Sequence, residues 1–190
     1  MKKLLTFLLL IVISCLLSGL YGILHDQLTY SISPEYYTKF KFYQFGFIDE
    51  DQEVTFANPR LYVSIVGFLA TWWMGFFIGS FLALLGFIHS EWKLMFRITL
   101  KAFLLMMLIA FLTGLIGLAY GHFFLADLPK EEFSNWYLPE NLDDFRSFIK
   151  VGSMHNFSYL GGVIGLVVGM VYSICQKPTL ASAIFWWMKK

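Results

Sequence analysis

The sequence predicts an all-α integral membrane protein built as a four-transmembrane-helix bundle. Three observations lead there. Hydrophobic residues make up 58% of the chain and charged residues only 14%, where a soluble domain carries about 25% charge. The apolar excess collects in four runs, Leu4–Leu24, Leu61–Ile88, Ile98–Gly121 and Met154–Cys175, each reaching the roughly 20 residues that cross about 30 Å of hydrocarbon as a helix. The alternating segments of a membrane barrel are missing from the sequence, and backbone groups without water must pair inside a helix. A single membrane domain over residues 1–190 follows. Loops 25–60 and 123–153 fall on one side, and loop 89–97 and tail 176–190 on the other.

Lysine and arginine set the expected orientation. With the N-terminus inside, the inner segments hold Lys2, Lys3, Lys93, Arg97, Lys101, Lys177, Lys189 and Lys190 against the single acid Glu91, while the outer loops hold six cations and twelve acids. The inner cations sit at span ends, where the positive-inside rule is strongest, so N-in/C-in is expected. The formal net charge of +1 hides this polarity and gives no reason to expect a nucleic-acid partner.

The first span begins with Lys2-Lys3, like a signal peptide. Its apolar run of about 20 residues exceeds the usual 7–15, and no convincing small-x-small cleavage site is present. Val12-Ile13-Ser14-Cys15 loosely resembles a lipoprotein processing site, yet Leu16-Leu17 and Leu20 follow where a polar tether belongs. A retained span is expected. Cys15 and Cys175 lie in different spans and read as buried thiols, not a disulfide framework.

Each remaining segment carries its own signals. Ser33-Pro34-Glu35 reads as a helix start, with a cap, a first-position proline and an acid in the first turn. The aromatic run Tyr36, Tyr37, Phe40, Phe42, Tyr43, Phe45 and Phe47 then suggests a short amphipathic helix on the outer membrane surface. Asp49-Glu50-Asp51 and Glu53 read as a solvated turn. The short inner loop makes spans two and three an antiparallel hairpin. In the second outer loop Asp127 with Pro129 and Glu131-Glu132 begins one short helix, and Asn141 with Asp143-Asp144 begins another, which can run into the fourth span with Gly152 as a flexible point. Phe185, Trp186 and Trp187 beside Lys189-Lys190 look like an inner-surface anchor. Small residues recur every four positions at Gly67, Thr71, Gly75, Gly79 and Ala83, and again at Gly161, Gly165 and Gly169, which marks close helix packing. Trp72 and Trp73, near mid-span, are expected to fill bundle space or to wall a pocket.

Chemistry points to one end of the bundle. His25 closes the first apolar run, His122 closes the third and His155 opens the fourth. Imidazole binds zinc, copper and iron, and carboxylates complete such sites. Three histidines from three helices would leave coordination positions open, with Asp26 or Glu35 as a further ligand or general base and Asn156, Ser158 or Tyr159 orienting His155. Adjacent His25 and Asp26 point about 100° apart on a regular helix, which argues that only one faces the axis. Three readings stand: a divalent transition metal, a b-type haem held by two histidines with Gly22, Gly121 and Gly161-Gly162 making room, or plain polar residues at the membrane boundary. His89, beside Glu91 and Lys93, reads as a surface residue. No phosphate-binding glycine loop, nucleophile elbow or His-Glu-x-x-His motif is present, and the spans lack the mid-membrane charge of a transporter.

Tyr21-Gly22-Ile23-Leu24-His25-Asp26-Gln27, Glu35-Tyr36-Tyr37-Thr38, Ala70-Thr71-Trp72-Trp73-Met74-Gly75 and His155-Asn156 resemble a series found in a group of bacterial four-helix inner-membrane proteins. Tyr37 stands where that group has Phe, and the outer loops differ. The resemblance implies the inner membrane and supports the choice of His25, Asp26, Glu35 and His155, but it implies no reaction. Two expectations follow. One is a membrane-embedded metalloprotein facing the periplasm and acting on a lipid-soluble substrate. The other is a non-catalytic scaffold or assembly subunit docking a membrane protein partner.

Overall fold

The computed structural model describes residues 1–49 and 56–177. The rest of the acidic turn after Asp49 and the aromatic tail ending in Lys189-Lys190 lie outside the described residues. The elements in chain order are α1 (Lys2–Ile32), a π-helical segment (Tyr36–Lys41), the single turn α2 (Phe42–Gln44), α3 (Pro59–Leu85), a 3-10 turn (Gly86–Ile88), α4 (Trp92–Tyr120), a second π-helical turn (Gly121–Leu125), a 3-10 turn (Lys130–Phe133) and α5 (Phe145–Cys175). Among the described residues there is no strand. Four helices are long and apolar enough to cross a membrane, which fits a membrane protein.

Helix starts follow capping chemistry. Asn58 accepts from the Leu61 amide at 3.4 Å with Pro59 at the first helical position. Asp144 accepts from the Ser147 amide at 3.0 Å at the head of α5. A helical segment does begin after Ser33-Pro34, where the Ser33 and Pro34 carbonyls accept from the Tyr36 and Tyr37 amides at 3.3 and 2.9 Å, but the Ser33 hydroxyl does not cap it. Ser33 ends α1, its amide donating to the Thr29 carbonyl at 2.9 Å. α1 therefore runs two turns beyond the apolar stretch and α5 begins nine residues before it, unbroken through Gly152, against which the Trp136 ring packs.

The bundle consists of two tightly packed pairs, α1 with α3 and α4 with α5, with much sparser contact between the pairs. The expected hairpin of spans two and three is thus a connection more than a packing unit. The small-residue ridges explain the pairing. The Gly67 ridge lies against Gly22, Ser18 and Ser14 of α1, and a Cβ on Gly67 would stand 2.6 Å from the Gly22 carbonyl carbon. The ridge on α5 faces Ala110, Met106 and Ala102 of α4, where a Cβ on Gly165 would stand 2.8 Å from the Met106 carbonyl oxygen. Dispersion over such close backbones holds helices together where hydrophobic exclusion cannot. Thr71 adds a 2.7 Å bond to the Ser18 carbonyl.

Large apolar side chains such as Leu8, Phe81, Ile116 and Val163 cover the outer faces. Trp72 and Trp73 join them at 42% and 48% exposure, which corrects the expectation that they fill the bundle. Their neighbours Ala70, Thr71 and Met74 face inward instead. At one end, Tyr36, Tyr37, Phe42, Val63, Val66, Phe133, Phe148 and Ile149 form an aromatic cap. The aromatic segment is therefore helical, but Tyr36, Tyr37 and Phe42 are buried in protein and do not face headgroups. Glu35 and Lys39 lock this cap. Lys39 bonds Glu35, the Asn141 carbonyl at 2.6 Å and Asp143 at 2.8 Å, while Glu35 accepts from the amides of Asp143 and Asp144 at 3.2 and 2.6 Å. His89, expected at the surface, is fully buried at the other end, 3.2 Å from the Ser173 hydroxyl.

Candidate metal centre

α1 carries His25 and Asp26 two turns before its end, and α5 carries His155 three turns after its start. The three side chains meet beneath the aromatic cap, with exposures of 5%, 4% and 5%. The Asp26 Oδ1 atom lies 3.3 Å from His25 Nδ1 and 3.5 Å from His155 Nε2. The two imidazoles stand edge to face, ring centres 4.8 Å apart. One donor atom from each of the three residues falls within 4.8 Å of the others, so the cluster can hold a metal ion.

The hydrogen bonds around the rings fix what faces inward. His155 Nδ1 lies 2.9 Å from the Val151 carbonyl. A carbonyl only accepts, so Nδ1 carries a proton; Nε2 then faces Asp26 with a lone pair in the neutral ring and with an N–H in the charged one. That Nε2 and Asp26 Oδ2 are both buried without a hydrogen-bond partner. His25 Nε2 lies 3.1 Å from the Ser158 hydroxyl. With the Ser158 hydroxyl donating there, His25 Nδ1–H donates to Asp26 Oδ1 at 3.3 Å; with Nε2 donating, Nδ1 presents a lone pair to a bound cation instead. The Asp26 carboxylate thus faces one nitrogen of each imidazole, an arrangement that a proton on either ring or a metal ion would satisfy.

The cluster forms the polar end of a cavity of ≈ 70 Å³ between the two helix pairs. Its apolar body is lined by Met74, Ile78, Met106, Met107 and Ala110, and its polar end also holds Lys41, Tyr21 and Ser158. Tyr36 closes the end toward the cap, its ring stacked on His155 at 4.9 Å. Burial raises the hydroxyls of Tyr36 and Tyr37 above their ordinary value, so both stay neutral, and Tyr37 shares a 2.6 Å bond with Thr29. Burial also lowers the Lys41 ammonium below its ordinary value, opposed by the charge of Asp26.

The structure brings together His25, Asp26 and His155 and leaves other candidates outside. His122 is exposed on its π-helical turn, its ring against Phe123. The extra residue of a π turn swings it off the bundle axis. Glu35 is spent on Lys39 and the start of α5. Asn156 is exposed beside the cap groove with Trp136 and Tyr137. Tyr159 lines the cavity. Asp26 does face inward beside His25, despite the 100° step, because the carboxylate and Nδ1 bend toward each other. Ser158 serves His25 and not His155, and Tyr36 and Lys41 went unforeseen. Of the glycines expected to make room for haem, Gly22 is closed by Gly67, Gly161 by Thr113 and Ala110, and Gly121 by Ser153, while Gly162 is open and lines the cavity. Searches with the sequence and the fold found no matching protein family, curated protein or solved structure.

Proposed function

We propose that this chain is a multi-pass protein of the bacterial inner membrane, N-in and C-in, that holds one zinc, copper or iron ion between His25, Asp26 and His155 near the periplasmic end. One observation carries the reading. The far nitrogen of each imidazole is turned to an outside partner, as in metal-ligating histidines, while His155 Nε2 has only Asp26 Oδ1, 3.5 Å away, and the buried Asp26 Oδ2 has no hydrogen-bond partner. Spacing supports it. Donors about 2.0–2.2 Å from an ion and 90–110° apart lie about 2.8–3.6 Å from one another; the two separations from Asp26 Oδ1 are 3.3 and 3.5 Å, and all three donors fall within 4.8 Å, so an ion would draw the two imidazoles together.

Two histidines and one carboxylate leave positions open on such an ion, which would polarise a bound oxygen or acidify a bound water. The protein's part is to fix His155 through Val151 and His25 through Ser158, and to exclude bulk water with Tyr36. The apolar cavity supports a lipid-soluble substrate. The test is elemental analysis with an absorption spectrum, on protein purified in mild detergent without chelator. About one metal per chain is expected, lost in His155→Ala and Asp26→Asn. A folded wild type with only trace metal, and unchanged stability in His155→Ala, overturns the reading in favour of a non-catalytic scaffold. A Soret band overturns it in favour of haem.

A further inference from the structure

Lys41 lines the cavity wall but takes no part in the metal centre. It is buried at 5% exposure, and a buried lysine normally has a counter-ion. Among the described residues no carboxylate lies within ion-pair distance of its ammonium. Asp26 acts on it only through space, and its close neighbours are the rings of Phe40 and Phe45, 5.9 and 5.8 Å away. The cavity it lines is polar at this end and apolar beyond. A second hollow of ≈ 390 Å³ adjoins it, sharing Tyr21, His25 and Met107 and continuing over Leu24, Leu28 and Leu108. Those three leucines are exposed on the outer face of the bundle, so this hollow opens sideways between α1 and α4.

An unpaired buried cation above an apolar chamber with a side opening matches an amphiphile with a negative head. We propose that the cavity binds an anionic lipid, its phosphate or carboxylate beside Lys41 and its chain leaving through the groove between α1 and α4. A chamber of ≈ 70 Å³ suits a bare head of that size. The inference rests on the metal reading for the identity of the site, since the ion would add positive charge at the same end, but Lys41 supplies attraction of its own.

The test is lipid retention by native mass spectrometry, with metal content measured on the same samples. The probes are lysophosphatidic acid and lysophosphatidylcholine of one chain length, with inorganic phosphate as competitor. The wild type is expected to bind lysophosphatidic acid at least tenfold more tightly. Lys41→Met should abolish that preference without removing metal. Ala70→Phe, which fills the chamber and leaves Lys41 in place, should weaken both lipids, and it keeps the test open if Lys41→Met does not fold. Equal retention of the two lipids, or a preference that survives in folded Lys41→Met, overturns the proposal. So does displacement by millimolar inorganic phosphate that itself binds as tightly, since that marks a site for a free anion. Lipid preference without metal would sink only the metal reading, and metal without lipid preference would sink only this one.

Discussion

Glu35→Gln separates a ligand from a structural clamp. Glu35 accepts from Lys39 and from the amides of Asp143 and Asp144. Glutamine keeps the shape and removes the charge. A hydrogen bond to a charged group contributes about 1.5–3 kcal/mol and a neutral one about 0.5–1.5; the amide NH2 cannot accept, so with Oε1 kept the bond from the Asp144 amide is lost and the other two each lose about 1 kcal/mol. The Glu35 side chain is 15% exposed, and Lys39 keeps Asp143 at 2.8 Å, so screening and the surviving partner reduce the sum to about 2 kcal/mol. For a chain of this size that lowers Tm by about 4–8 °C. The assay is thermal unfolding in detergent, followed by tryptophan fluorescence, with metal content measured in parallel. The expected result is the lower Tm with metal unchanged. An unaltered Tm, or loss of metal with Tm preserved, would refute the clamp and return Glu35 to the site.

Three further outcomes follow from the same geometry. Gly67→Leu places a side chain where a Cβ already meets the Gly22 backbone. It should cost about 3 kcal/mol or more by forcing α1 from α3, read as loss of the monodisperse peak in size-exclusion chromatography. His122→Ala, at an exposed position, should leave metal content intact and shift stability by no more than about 0.5 kcal/mol in thermal unfolding. Asp144 is held below its ordinary value mainly by the Ser147 amide. Its contribution is therefore complete above the unfolded carboxylate value of about 3.9 and is lost as pH falls through the lower folded value. The Asp144→Ala deficit of about 1 kcal/mol, measured by unfolding at stepped pH, should persist at pH 6 and shrink below pH of about 4; a deficit independent of pH would count against the cap.

The four spans were legible because apolar runs of that length have few other uses. Their ends were less so. His25, Asp26 and Gln27 look like a passage into water, yet His25 and Asp26 are satisfied inside the protein, and α1 continues. Gly152 looks like a break but admits the Trp136 ring. The ridges of small residues were readable on each helix. Which partner each would meet was not, because a ridge specifies closeness and not identity. For the site, the residue types named His25, Asp26 and His155, while depth along the helix misled for His122. Tyr36 and Lys41 left no readable period, since a π-helical segment places residues five apart on one face, against the four of an α-helix.

The stacking of Tyr36 on His155 has a kinetic consequence. Anything hydrophilic that travels to Asp26 from the aqueous side must first part a plug of interlocked rings. Exchange of the proposed ion would be governed by how often the plug breathes, and a tight chelator in excess would remove it no faster than that rate. The proposed amphiphile would meet no such plug at the flank between α1 and α4, where the hollow is lined by Leu24, Leu28 and Leu108.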